Sequence, residues 1–163
     1  NHFTDMYREY VDLIYRFVFF KVSDRDLAWD ITQECFLRMW RQCQDADIQI
    51  KNNKALLYKI ARNLVIDYWR QKDQKQTASL ESVVDIIKDD TDLFAEQVAQ
   101  DEIKKLLRYL DELPAKQKEI MLLRYVDDLS YQEIAEITGK TALVVRVSAH
   151  RAIKVLKKII PKQ

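Results

Sequence analysis

One glycine among 163 residues, with only two prolines, leaves this chain few places to break a helix or turn tightly. Strand-like alternation is scarce, and apolar residues recur at helical spacing along most of the sequence. The expectation is an all-α protein. Gly139 then marks a point where the backbone needs positive φ. It lies in Ser130-Tyr-Gln-Glu-Ile-Ala-Glu-Ile-Thr-Gly-Lys-Thr-Ala-Leu-Val-Val-Arg146. Ser130 followed by Glu133 reads as a capping box opening a short helix, which carries Ile134, Ala135 and Ile137 inward. Gly139 ends that helix, and Thr141 caps a second one. Ala135, Gly139 and Val145 stand where a helix-turn-helix needs a small residue, a turn residue and an apolar lock. A plain αα-hairpin is the competing reading.

The second helix separates the two. Placed at about 100° per residue, Ala142, Val145, Ala149, Ala152, Ile153, Leu156 and Ile160 fill one arc. Arg146, His150, Arg151, Lys154, Lys157 and Lys158 fill the opposite arc, and no acidic residue follows Glu136. A solvated face ordinarily mixes both signs, whereas a one-sign face points to phosphate. The helix dipole accounts for Lys157 and Lys158 near the C-terminus, but not for Arg146.

The net charge of +1 excludes a strongly basic whole protein, but the charge is unevenly placed. Residues 1–72 hold 12 basic and 10 acidic residues, residues 73–98 hold 2 and 7, and residues 99–163 hold 13 and 9. Two mildly basic domains, 1–72 and 99–163, are therefore expected, joined by a flexible acidic linker over 73–98. Cys35 and Cys43 have neither redox-motif nor zinc-ligand spacing, which fits a reduced, cytosolic setting. With His2 and His150 the only histidines, no metal site or cofactor is expected. Phe17-Val-Phe-Phe20 is too short to span a membrane, and no signal-peptide pattern is present. No nucleophile–base set or phosphate loop stands out, so an enzyme is not expected.

In chain order, the first helix is expected over about Phe3–Val22, with Tyr7, Val11, Ile14, Tyr15 and Val18 near one face. Ser23 and Asp24 mark a stop and a new start. The second runs to about Gln44 on a stripe of Leu27, Ala28, Ile31, Cys35 and Met39, widened by Trp29, Phe36 and Trp40. Its remaining strip holds Asp30, Gln33, Glu34 and Arg41 around Leu37, which reads either as a partner anchor or as a stray surface leucine. Residues 44–54 read as a loop. The third helix, about Lys54–Lys72, turns Leu57, Ile60, Ala61, Leu64, Val65 and Tyr68 inward and Lys59, Arg62, Asn63, Asp67 and Arg70 outward, with Tyr58 and Trp69 at the edges. Cations, an amide and aromatic rings suit unpaired bases, and equally an ordinary amphipathic helix. In the linker, Ile86 and Ile87 are candidates to dock on a partner. Helical spacing returns over about Glu96–Leu110, Pro114 opens a further helix carrying Ile120, Met121, Leu123 and Tyr125, and Asp127-Asp128 makes a polar turn.

Four motifs in order resemble the extracytoplasmic-function (ECF) sigma factors of bacteria. They are Asp30-Ile-Thr-Gln-Glu-Cys-Phe-Leu-Arg-Met-Trp40, Leu57-Tyr-Lys-Ile-Ala-Arg-Asn-Leu-Val-Ile-Asp67, Leu110-Asp-Glu-Leu-Pro114, and Leu129-Ser-Tyr-Gln-Glu-Ile-Ala135 with His150-Arg-Ala152. The resemblance implies a promoter-specific initiation factor, without enzymatic activity, that works on core RNA polymerase in the cytoplasm. Asp30, Gln33, Glu34, Leu37 and Arg41 would dock on the clamp coiled coil of the polymerase. Lys59, Arg62, Asn63, Asp67 and Arg70 would read and melt the −10 element, with the 44–54 loop holding an extruded base. Thr141, Leu143, Arg146, Val147, His150, Arg151 and Lys154 would read the −35 element in the major groove. The acidic linker would thread toward the active-site channel, and an anti-sigma factor would hold the protein inactive.

The chain departs from the family pattern at Lys140, Leu143, Val147, Ser148 and Leu56, and its 44–54 loop lacks the usual aromatic. These changes remove polar or flipping groups and leave the promoter sequence open. Leu143 and Val147 point outward and suit thymine methyls, so Val147→Ser is expected to change preference at one −35 position. A free-standing operator-binding regulator is the alternative, although it has no need of the first domain. A helical adaptor binding only proteins predicts no salt-dependent DNA affinity.

Overall fold

The computed structural model describes residues 2–75 and 101–162. These are all-α, in the order α1 (His2–Val22), α2 (Arg25–Gln44), α3 (Asn53–Lys75), α4 (Asp101–Asp111), α5 (Ala115–Met121), α6 (Tyr131–Thr138) and α7 (Ala142–Ile159). The chain divides into two compact units, one within Asn1–Leu93 and one within Phe94–Gln163. Beyond Lys75, the expected acidic linker lies outside the described residues, as do Ile86, Ile87 and the expected helical turn before residue 101.

In the first unit, α1, α2 and α3 pack against one another. Ile14, Phe17, Val18, Ala28, Cys35, Met39, Leu57, Tyr58 and Ala61 are enclosed at their centre. Each large aliphatic or aromatic side chain so enclosed contributes roughly 1.5–3 kcal/mol. Because α1 meets two neighbours, its buried arc extends to Met6, Phe17, Phe19 and Val22, beyond the expected stripe. Tyr7, Val11 and Tyr15 are only half-buried. The α1–α2 corner is closed by Ser23 at φ 54, followed by Asp24, whose carboxylate accepts from the Leu27 N–H at 3.1 Å. The loop expected over 44–54 is irregular over residues 45–52, ending where the Asn52 side chain accepts from Ala55 N–H at 3.0 Å.

Tyr58 departs from expectation. It is fully buried rather than at an edge, with its ring set edge-on against Phe17 at 5.1 Å. Trp69 is half-buried, and its indole N–H donates to the Lys21 carbonyl at 3.2 Å. Helix α3 contacts both α1 and α2, so its inward arc is wide enough to take both rings. Neither ring is a free stacking platform.

Cys35 is enclosed and donates its S–H to the Leu57 carbonyl at 3.3 Å. Burial pushes its thiol up to about 12 from 9.0. The expected result is that a thiol reagent labels exposed Cys43 at once in the native protein, and Cys35 only on unfolding. The sign of the pH effect follows from a folded-state value raised above the unfolded one. The contribution of Cys35 to stability is complete below pH 9.0 and declines as pH climbs toward 12. Urea melts at pH 8 and 10, with and without Cys35→Ala, measure it.

The second unit builds its core from Leu110, Leu113, Met121, Ala152 and Leu156, with Ile120, Leu123, Leu129, Ile134, Val145 and Ala149 also buried. Pro114 sits at the N-cap of α5, as its missing N–H permits. After α5 the backbone widens into a π-turn over Leu122–Val126, where Asp127 N–H donates to Leu122 O at 3.0 Å. Each residue of a π-turn advances less around the axis. Leu123 is enclosed while Tyr125, two residues on, is exposed. Asp127 is buried rather than part of an open polar turn, and Asp128 takes φ 56. A short polar side chain tolerates that left-handed conformation.

Helix α6 opens on the expected capping box. Ser130 Oγ accepts from Glu133 N–H at 3.0 Å, and Glu133 Oε1 accepts from Ser130 N–H at 3.1 Å. Gly139 at φ 72 ends it, and Thr141 Oγ1 caps α7 by accepting from Val144 N–H at 3.2 Å. A Cβ built on Gly139 meets nothing within 4 Å, so a substitution there costs backbone strain alone. Gly139→Ala is expected to lower stability by about 1–2 kcal/mol, and Gly139→Asn by less. Urea unfolding followed by circular dichroism measures both.

Candidate nucleic-acid and partner-binding faces

Helices α6 and α7 are locked together by Ala135, Ile137, Val145 and Ala149, all buried. With the left-handed glycine between them, this is helix-turn-helix geometry rather than a plain hairpin. Its inward side leaves the rest of α7 facing water. Leu143, Arg146, Val147, His150, Arg151 and Lys154 are all exposed there, together with Lys157 and Lys158. Thr141 is exposed too, but its oxygen serves the helix cap, which leaves its hydroxyl hydrogen for an acceptor outside. The cationic strip is unbroken by any carboxylate within α7.

Arg146 leaves the middle of that strip. Its guanidinium lies over the Tyr131 ring, 5.7 Å from the centroid, and Arg124 lies over the same ring at 4.6 Å. Arg124 also donates to the Leu129 carbonyl at 3.0 Å. Two cations thus gather at the start of α6, beside the first turns of α7. Arg124 and Tyr131 carried no signal in the pattern of α7 because they come from the two preceding segments.

In the first unit, Lys59, Asn63, Asp67 and Arg70 are exposed on the outward side of α3, and Arg62 is half-buried beside them. Asp67 stands 4.0 Å from Arg70, an exposed pair of little energetic weight. The strip therefore offers cations and an amide, while its expected flanking rings are tied up in the packing described above.

The outward side of α2 carries Asp30, Gln33, Leu37 and Arg41, all exposed, and half-buried Glu34, which pairs with Arg38 at 3.0 Å. Leu37 is 42% exposed and is not alone. Trp29 and Trp40, expected to widen the buried arc, are 46% and 38% exposed. Their rings rest edge-on against Tyr15 at 5.9 Å and Phe3 at 4.9 Å, at the rim of the core. Ala28, Ile31, Thr32, Cys35, Phe36 and Met39 fill the buried side of α2 instead. The result is an apolar ridge framed by polar residues, the form of a protein-docking surface.

Among the described residues no group of histidines, cysteines or carboxylates is placed to hold a metal ion, and no helix is long and apolar enough to cross a membrane.

Residues 6–75 match Sigma-70 region 2, and residues 103–156 match Sigma-70, region 4. The chain is 27% identical over 162 residues to the ECF RNA polymerase sigma factor BldN of Streptomyces coelicolor, spanning 98% of this chain and 60% of BldN. It is 32% identical over 134 residues to the ECF RNA polymerase sigma factor SigM of Bacillus subtilis, spanning 82% of this chain and 79% of SigM. In three dimensions it is similar to the sigma factor RpoE solved with the anti-sigma factor NepR from Bartonella quintana. That match has a TM-score of 0.66 at 19% identity and covers 96% of this chain and 95% of the other, a likeness of fold.

Proposed function

Since the chain belongs to the ECF sigma factors, we propose that it binds bacterial core RNA polymerase and directs promoter-specific initiation. The observation that carries this reading is the pairing of two different kinds of face on one chain. The cationic α7 strip suits DNA, and the exposed apolar Trp29, Leu37 and Trp40 of α2 suit a protein partner. A free-standing operator-binding regulator accounts for the first and has no use for the second.

In this reading α7 lies in the major groove at the −35 element, with Thr141, Leu143, Arg146, Val147, His150, Arg151 and Lys154 as its contacts. Lys59, Arg62, Asn63, Asp67 and Arg70 of α3 engage the −10 element and favour the opened strand. Extruding a base costs a few kcal/mol. With Tyr58 in the core and half-buried Trp69 tied to the Lys21 carbonyl, base-edge contacts from Asn63 and phosphate contacts from the cations are the main groups left to offset that cost. Asp30, Gln33, Glu34, Leu37 and Arg41, joined by Trp29 and Trp40, dock on the polymerase clamp. The domain division 1–72, 73–98 and 99–163 follows these roles, with the acidic segment threading a basic channel of the enzyme. The same faces suit occlusion by an anti-sigma factor. The polymerase places the work in the cytoplasm.

Run-off transcription from a genomic fragment library, with core polymerase plus this protein, tests the proposal. The expected outcome is a restricted set of start sites that core enzyme alone does not use. Identical transcripts with and without the protein rule the reading out. A mobility shift that appears in full without polymerase favours the free-standing regulator.

A further inference from the structure

We propose that Leu143 and Val147 form an apolar reading head for thymine 5-methyl groups, so that thymine is preferred at two positions of the −35 element. This rests on the assignment of α7 to the −35 major groove. In a helix-turn-helix, the N-terminal turns of the second helix reach the base edges. In α7 the exposed apolar residues of those turns are Leu143, 68% exposed, and Val147, 39% exposed, in line with one another, with Val144, 47% exposed, at their flank. The first cation of α7, Arg146, lies over the Tyr131 ring, and His150, Arg151 and Lys154 enter only in later turns. The base edges therefore meet branched aliphatic side chains that neither donate nor accept hydrogen bonds.

Neither residue is needed inside. Val145, Ala149 and Ala152 fill the seam on the opposite side of the helix completely. A leucine this exposed, in line with a row of cations, is an unpartnered apolar group on a surface otherwise suited to DNA. The only apolar group that the major groove displays is the thymine C5-methyl. Against guanine, adenine or cytosine, the same side chains desolvate donors and acceptors and return nothing. Leu143 and Val147 are four residues apart, about 6 Å along the axis. That separation matches about two base-pair steps of 3.4 Å, so the two thymines fall close together.

The test uses holoenzyme reconstituted from the full chain and bacterial core polymerase, with a promoter duplex selected from a library randomised over the −35 segment. Deoxyuridine then replaces each thymine in turn, removing the methyl group and nothing else. At two nearby positions the replacement is expected to weaken binding about fourfold, the worth of one buried methyl-sized group. Leu143→Ala is expected to abolish the penalty at one position and Val147→Ser at the other, with thermal melts unchanged because both side chains lie outside the core. If deoxyuridine duplexes bind as well as thymine duplexes, or if both variants keep both penalties, the inference is overturned while the −35 assignment stands. A holoenzyme that selects no −35 sequence overturns the assignment and this inference together.

Discussion

A Leu37→Asp variant is expected to lose core polymerase binding by about a hundredfold. The side chain sits in the middle of the outward strip of α2, between two indoles that are themselves partly exposed. Truncating a central interface anchor of this kind costs about 2 kcal/mol or more. Placing a carboxylate where the partner offers an apolar pocket adds a desolvation penalty, and a total near 3 kcal/mol corresponds to the hundredfold loss. The fold is spared because Leu37 lies outside the enclosed core, so the thermal melt is expected to stay close to that of the unaltered protein. Asn63→Ala gives the converse result. Core binding stays unchanged, while permanganate reactivity of the opened −10 strand falls about tenfold, the worth of one good base-edge contact. Fluorescence anisotropy with labelled core enzyme reads the first step and permanganate footprinting the second. If both variants fail at the same step, the separation of roles between α2 and α3 is wrong.

What the sequence made legible divides along physical lines. The helix-turn-helix could be read from Ser130, Glu133, Gly139, Thr141 and Val145 because each acts through local backbone chemistry. A cap or a left-handed turn needs no knowledge of the rest of the fold, and all five are found in their expected roles. The outward strip of α7 was legible for a similar reason, since a helix packed on one side presents its charges on the other. The aromatic residues were not legible. Tyr58, Trp29 and Trp40 lie near the boundary between inward and outward arcs, and apolar spacing does not say how wide the buried arc of a helix is. All three helices of the first unit have two neighbours, yet α3 encloses Tyr58 while α2 leaves both indoles at its rim. The π-turn at Leu122–Val126 likewise has no signature in apolar spacing, which assumes 3.6 residues per turn. The stacking of Arg124 and Arg146 on Tyr131 joins three segments and is invisible to any single-helix pattern.

Neutralising Arg151 and Lys154 together is expected to change the salt dependence of promoter binding as well as its strength. Both residues are exposed on the outward side of α7, past the turns that Leu143 and Val147 occupy. Lying beyond the turns proposed to read bases, they are expected to track phosphates. Each phosphate-bound cation releases a counterion from the duplex, worth a slope of about 0.9 in log affinity against log salt. The Arg151→Ala, Lys154→Ala double variant is therefore expected to bind with a slope shallower by about 1.8. At 0.1 M salt the lost release alone corresponds to about eightfold per cation, or about sixtyfold together. The loss should be nearly the same on every promoter, because phosphates carry no sequence. Leu143→Ala and Val147→Ser should do the reverse, leaving the slope unchanged and altering which promoter is preferred. Holoenzyme titrations between 50 and 200 mM salt on two promoters of different −35 sequence separate the cases. An unchanged slope in the double variant would place Arg151 and Lys154 on bases rather than phosphates, and would move the reading head toward the C-terminal half of α7.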